Sequence, residues 1–383
     1  MGLRLNRTGH LAFPLLIVAT LVVGSARDTS ASPASDQAAL DGIVADGVAA
    51  GLPGVVLAAQ RTGEDEVVSG AGVSSRERGT PLAATDRFRI YSITKTFTAV
   101  VVLQLVEEER LSLDETVLAA LPAAAETGIP HLDTITVRQL LDHTSGIYDY
   151  ADETDSPFYV DAFFGENADW SKVWTPWELL AYANGARHAP YFAPGEDFHY
   201  SNTNYILLGL IVEQVTGNAF GDELQTRIFA PLGLTSTSLP AGAELPAGLV
   251  DGYHVIEGEL VNVSALNTSW VWAAGGIVST AADVLHFADA LFAGRLLGPA
   301  LQREMMPPAT GNPEGSVGPG LFGGETVHGP AIENDGGSAG FLSQMTYYPE
   351  TGVTVVAVTN IYPADDAPFA KVIDDATTVM MAE

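Results

Sequence analysis

The chain has 383 residues, 47 acidic against 17 basic side chains, a formal net charge of −30, and no cysteine. That balance excludes nucleic acid as a partner, because phosphate binding needs clustered Lys and Arg; the missing cysteines exclude disulfides, thiolate metal sites and a Cys nucleophile. At 47% hydrophobic and 17% charged, the chain can fill a sizeable core and is not disordered.

The first predicted element is a leader. Arg4 and Arg7 precede an apolar run from Leu11 to Val23, and small residues follow, with cleavage points after Ala26 or Ala34. This is a secretory pattern, and the run is short of the ~20 residues a membrane span needs. The expectation is an exported protein, secreted or periplasmic, with a signal peptide and short linker over residues 1–34 and no stable membrane anchor after its removal.

Two β-like runs come next, Gly54–Gln60 and Glu66–Val73, separated by the turn "RTGED", which predicts a hairpin. From Ser92 to Glu108 the chain is apolar on most faces and reads as a buried helix. Further helices are signalled by their ends. "TVRQLLDH" has a Thr136…Gln139 capping box. "WTPWELLAYANG" starts on Thr175 and Pro176 and stops near Gly185. "NTNYILLGLIVEQVTG" ends at Gly217, and "STAADVLHFADALFAG" is capped by Ser279 or Thr280. Pro307–Gly320 reads as a loop. "FLSQMTYYP" and "VTVVAVTN" alternate as paired strands about "ETG", and "DAPFAKVIDDATTVMM" closes as a helix. Strands at both ends with a helical block between them predict an α+β fold in which both chain ends contribute to one antiparallel sheet.

Chemistry enters at "YSITKTFTAV". The chain has three lysines, and Ser92-Ile93-Thr94-Lys95 is its one Ser-x-x-Lys. Three residues apart on a helix, the two side chains share a face. A serine hydroxyl needs a neighbouring base to become a nucleophile. A lysine desolvated beside Ile93, Phe97 and Val101 is pushed towards the neutral amine. The first helical turn also offers unpaired N–H groups to a developing oxyanion.

A second group is "HYSNTNY", where Tyr200 and Asn202 are expected on a loop facing a cleft. Tyr200 near a cationic lysine is expected to lose part of its proton affinity and to serve as acid or base. Asn202 can bond Lys95 or a substrate amide. The second Tyr-x-Asn, Tyr182–Asn184, lies near a helix end and reads as structural, as does His143. A third group is "AIENDGGSAGFLSQ", where glycines lead into a strand and let backbone approach a ligand. Gly336–Gly340 also matches Gly-x-Ser-x-Gly. That elbow needs a strand before Ser338, a helix after it and a later histidine, whereas a strand-like run follows and the last histidine is His328. No His-Glu-x-x-His stretch suggests zinc, and no metal or cofactor is expected.

Taken together, "SITK", "YSN" and the Gly-rich stretch, in this order, resemble the serine β-lactamase and D-alanyl-D-alanine carboxypeptidase superfamily, nearest its secreted carboxypeptidase and class C β-lactamase branch. "ITVRQLLDHTSGIYDY", "IFAPLGLTST" and "AAGGIVSTAADVLHFADAL" extend the resemblance over most of the chain from about residue 40. It implies one hydrolase domain over 35–383, with a sheet part at 35–90 and about 300–383 and a helical part at about 110–280. It implies an acyl-enzyme on Ser92, with Lys95 and Tyr200 exchanging the protons, Asn202 holding the substrate amide, and the N–H groups of Ser92 and Gly337 as oxyanion hole. The substrate would be a small molecule or peptide.

The third motif departs from the family pattern of Lys or His, then Ser or Thr, then Gly. Here Asn334, Asp335 and Gly336 stand in those places, with Glu333 before them. No Arg follows Arg303, and Lys371 is the one later Lys. Losing a charge-assisted contact forfeits ~1.5–3 kcal/mol of binding to a carboxylate-bearing substrate. The family default is a carboxypeptidase. The altered motif points instead to an ester, an amide or an amine-bearing substrate, as for an esterase or D-aminopeptidase, or to a catalytically silent binding protein of the same fold.

Overall fold

The computed structural model describes residues 33–152, 156–164, 168–242, 244–256, 258–308, 316–363 and 365–382. The leader at 1–32 lies outside them. The strands, in chain order, are β1 (Gly54–Arg61), β2 (Val67–Ser75), β3 (Thr80–Pro81), β4 (Phe88–Arg89), β5 (Tyr253–Ile256), β6 (Glu259–Asn262), β7 (Val278–Ser279), β8 (Ser316–Gly318), β9 (Leu321–Thr326), β10 (Gly329–Ser338), β11 (Phe341–Tyr348), β12 (Val353–Thr359) and β13 (Ile361–Tyr362).

Eight of them form one antiparallel sheet in the order β3-β2-β1-β12-β11-β10-β9-β8. Strands from the two ends of the chain meet in its middle, where Val55 pairs with Thr359 and Arg61 with Val353. The fold is thus α+β, as expected, with the helical block inserted between the two sets of strands.

Both faces of the sheet are covered, so β1 and β12 are apolar almost without alternation. On the rear face Val55, Leu57, Val355 and Ala357 pack against Leu40 and Val44 of the Pro33–Ala49 helix and Phe369, Val372 and Ile373 of the Ala367–Met381 helix. On the front face Val56, Ala58, Val356 and Val358 belong to a larger cluster with Phe97, Val101 and Phe287. The period of two along each strand sorts these residues between the faces.

The caps fall where the sequence puts them. Thr136 and Thr175 each close a full capping box, Thr280 caps Ala281–Phe292, and Gly217 ends Asn202–Thr216 in a left-handed conformation, φ 78°. The Pro307–Gly320 reading needs correction. Residues 309–315 lie outside the described set, but Ser316–Gly318 forms β8 and pairs with β9. Its Gly- and Pro-rich surroundings hide a short edge strand whose pairing partner lies just after it in the chain.

Candidate active site

The Ser92 segment begins with a tight turn. Tyr91–Ile93 is 3₁₀, and the α-helix proper is Thr94–Glu107. Tyr91 holds φ 40°, a left-handed conformation uncommon for a residue with a side chain. Its ring is buried against Trp270 and Phe341, and its hydroxyl donates to Ala339 O at 2.8 Å. These contacts hold the turn that presents Ser92.

Lys95 is buried, 1% exposed, and its Nζ lies 3.0 Å from Ser92 Oγ, 2.8 Å from Asn202 Oδ1 and 2.7 Å from Ala274 O. Ser92 Oγ is also 2.7 Å from the Tyr200 hydroxyl. The structure therefore brings Ser92, Lys95, Tyr200 and Asn202 into one hydrogen-bonded group, as the motifs suggested.

Burial pushes the Lys95 ammonium down to about 7, against the opposing pull of Asp149 and Asp335. Tyr200 moves the opposite way from the sequence expectation. Burial raises its phenol, the hydrogen bond with Ser92 opposes, and Asp335 and Asp149 raise it further. The main reason is burial, which disfavours a phenolate; the two carboxylates add to it, and a lysine near neutrality does not offset them.

Asn202 is not on the loop. It is the first residue of the Asn202–Thr216 helix, with Tyr200 two residues before it. Its Nδ2 donates to Asp149 Oδ2 at 3.0 Å, and its backbone N–H donates to Asp149 Oδ1 at 3.1 Å. The carboxylate fixes which end of the amide faces Lys95: Oδ1 must be the acceptor. Most of the Asn202 side chain is thus engaged within the protein. Asp149 was not singled out from sequence. It is buried, its carboxyl is raised to about 6 by burial, and the N–H groups of Ala151 and Asn202 and the charge of Lys95 hold it back.

His143 has a structural place, but next to the chemistry. Its ring stacks on Tyr200 at 4.5 Å between centroids, and its Nδ1 accepts from Ser201 N at 3.0 Å. Burial holds it well below the usual histidine range, so it is neutral. Tyr182 and Asn184 are structural as read: the hydroxyl bonds Asp161, and Asn184 Nδ2 bonds Thr127 O.

The third group forms the opposite wall. Asn334, Asp335, Gly336 and Gly337 do not merely lead into a strand; they lie within β10, whose hairpin partner is β11. Pairing with β9 stops at Glu333, so from Asn334 onward one edge of β10 is free of a strand and lies against the Ser92 turn. Asn334 points inward, its Nδ2 close to Ser92 O (3.1 Å), Thr96 Oγ1 (2.9 Å) and Gly320 O (3.0 Å). Gly336 also faces inward: a Cβ there would sit 2.1 Å from Ile90 O and 2.8 Å from Ser92 N. Only glycine allows that approach. Asp335 and Gly337 alternate to the other face, and Asp335 is exposed. Surrounding protein raises the Asp335 carboxyl, and its own backbone N–H and the charge of Lys95 lower it. Ser338 ends β10 at a hairpin with no helix after it, so the elbow reading fails. Among the described residues no group of three or more His, Asp or Glu side chains is gathered as a metal site requires.

A family model described as Beta-lactamase matches residues 40–377. Penicillin-binding protein 4 of Amycolatopsis lactamdurans is 29% identical over 335 residues, covering 81% of each chain. Penicillin-binding protein 4* of Bacillus subtilis is 26% identical over 297 residues, covering 73% of this chain and 62% of the relative, so the match spans under two thirds of that protein. Among solved structures, a D-stereospecific amidohydrolase from Streptomyces sp. superposes with a TM-score of 0.76 at 34% identity, covering 88% of this chain and 98% of its own. D-amino acid amidase from Ochrobactrum anthropi SV3, complexed with L-phenylalanine amide, gives a TM-score of 0.76 at 29% identity, covering 90% and 99%.

Proposed function

From the premise that the chain belongs to the Beta-lactamase family, we propose that it is a serine hydrolase that opens an amide bond through an acyl-enzyme on Ser92. The observation that carries this reading is the set of contacts at Lys95. A neutral amine has two N–H donors and one lone pair. Ala274 O and Asn202 Oδ1 only accept, so they take both donors. The lone pair is left facing Ser92 Oγ at 3.0 Å. Ser92 then donates to Lys95, and the Tyr200 hydroxyl donates to Ser92 Oγ.

The steps follow from that arrangement. Ser92 Oγ attacks the carbonyl carbon as its proton passes to Lys95. The N–H groups of Ser92 and Gly337 take the oxyanion. The Tyr200 proton goes to the leaving amine as the C–N bond breaks, and Lys95 returns a proton to Tyr200. Water next attacks the acyl carbon, its proton passing to Lys95 and then back to Ser92 Oγ as the ester breaks. Tyr200 is an acid here and not the resting base, because its phenol is raised while the lysine is lowered.

The substrate supported best is an amide of the kind named in the amidase and amidohydrolase structures, with D stereochemistry. The relatives named penicillin-binding protein 4 support the carboxypeptidase reading; Asn334 and Asp335 weigh against it, since neither offers a cation to a carboxylate. The leader pattern supports export, which N-terminal sequencing of the protein recovered outside the cytoplasm tests. For the chemistry, intact mass after exposure to a fluorophosphonate should show one adduct mapping to Ser92, absent in Ser92→Ala. No adduct would favour a silent binding protein of the same fold. Release of ammonia from D-phenylalanine amide, with a D-Ala-D-Ala tripeptide cleaved more slowly than its C-terminal amide, separates the amidase from the carboxypeptidase.

A further inference from the structure

We propose that Asp335 reads the charge of the substrate by binding a protonated amine, so that the natural substrate carries an ammonium group close to the scissile carbonyl. This rests on the hydrolase reading above and extends it to a substrate class. Three observations lead to it. The residues on either side of Asp335 touch the nucleophile's own backbone: Asn334 through Ser92 O, and Gly336 against Ser92 N. The Asp335 backbone is therefore held beside Ser92, and its side chain leaves the strand on the open face. Its field reaches both Lys95 and Tyr200.

Asp335 is also unspent. Among the described residues no cation pairs with it and no other side chain hydrogen-bonds it. Gln344, opposite it on β11, donates instead to Glu333 Oε2 and Thr346 Oγ1. The nearby cations are committed elsewhere. Lys95 is engaged by Ser92 Oγ, Asn202 Oδ1 and Ala274 O, and Arg89 is fully buried and bonded to Ser264 O and Leu266 O. Glu333, one step along the same face, is pushed up to about 7 by burial and by the charge of Asp335. A wall with two carboxyls and no free cation attracts an ammonium and repels a carboxylate.

The test uses matched pairs that differ only in charge. D-Phenylalanine amide against N-acetyl-D-phenylalanine amide places the amine on the acyl half. The N-acetyl-D-phenylalanine 2-aminoethyl amide against its propyl amide places it on the leaving half. In one of the two pairs the charged member should have the higher kcat/KM by about tenfold or more, the size of a charge-assisted contact. Asp335→Asn should bring that ratio to within about twofold, and Asp335→Lys should invert it. The same pairs titrated by calorimetry onto Ser92→Ala report recognition without turnover. A preference there, lost in Ser92→Ala/Asp335→Asn, stands even if no acyl-enzyme forms, so the two readings fail separately. Charged and neutral members within about twofold in both assays, or a ratio that survives Asp335→Asn, overturns the proposal.

Discussion

Burial sets the state of Lys95, and Asp149 opposes it without touching the lysine. Asp149 bonds both the backbone and the side chain of Asn202, which turns one amide oxygen toward the lysine. Activity that needs a neutral Lys95 should fall as pH drops through about 7, because the protonated amine cannot accept from Ser92. In Asp149→Asn the negative charge that raises Lys95 is gone, so the acid limb of kcat/KM should move to lower pH, by roughly one pH unit. A limb that stays in place would assign the titration to another group. Ser92, Lys95 and Tyr200 were legible because each sits in a short local pattern. Asp149 was not, since its partner lies 53 residues away. The Ala274 carbonyl was invisible for a plainer reason: a backbone acceptor leaves no mark on residue identity. The direction of the Tyr200 shift was missed because it depends first on burial and then on Asp335 and Asp149, which only the folded chain brings about.

At the scale of elements, the decisive contact is between β10 and the turn before the Thr94–Glu107 helix. Gly336 makes it possible, and Ser343 Oγ reinforces it by donating to Ile90 O at 2.8 Å. Gly336→Ala would place a methyl within 2.1 Å of Ile90 O and 2.6 Å of Ser343 Oγ, so strand and turn must part. A loss of about 1–3 kcal/mol in stability is expected from such overpacking. A fall in kcat/KM of about 10²-fold should accompany it, because reacting groups displaced by an ångström lose that much. Denaturant midpoints and steady-state kinetics on the same preparation check both. Most elements could be read from local signals: capping boxes at Thr136 and Thr175, glycine at Gly217, alternation in β11. Those signals fail where pairing overrides propensity. Asn334-Asp335-Gly336-Gly337 has poor strand propensity, yet it is strand because β11 supplies the register and the Ser92 turn supports the other edge.

Across the whole molecule, the two ends of the described chain are tied through one arginine. Arg61, at the end of β1, pairs with Asp36 at 2.7 Å and donates from Nε to Met380 O at 2.8 Å. It thereby joins the Pro33–Ala49 helix to the Ala367–Met381 helix. Arg61→Ala should cost about 1–3 kcal/mol, the value of a partly buried charged hydrogen-bond set, and lower Tm by several degrees, while kcat/KM is retained. A parallel loss of activity would mean that the rear layer shapes the cleft. The fold class was legible from the grouping of strands at both ends of the sequence. Which apolar residues serve which layer was not, since β1 and β12 are apolar almost without alternation and only the sheet separates their alternate residues. That partition has a consequence. The rear layer and the layer holding the nucleophile are two rooms sharing a single wall, and loosening one does not empty the other. Amides of the terminal helices should exchange with solvent before those of the Thr94–Glu107 helix do, and a designer seeking heat tolerance has an entire side of the molecule to repack without disturbing the reacting atoms.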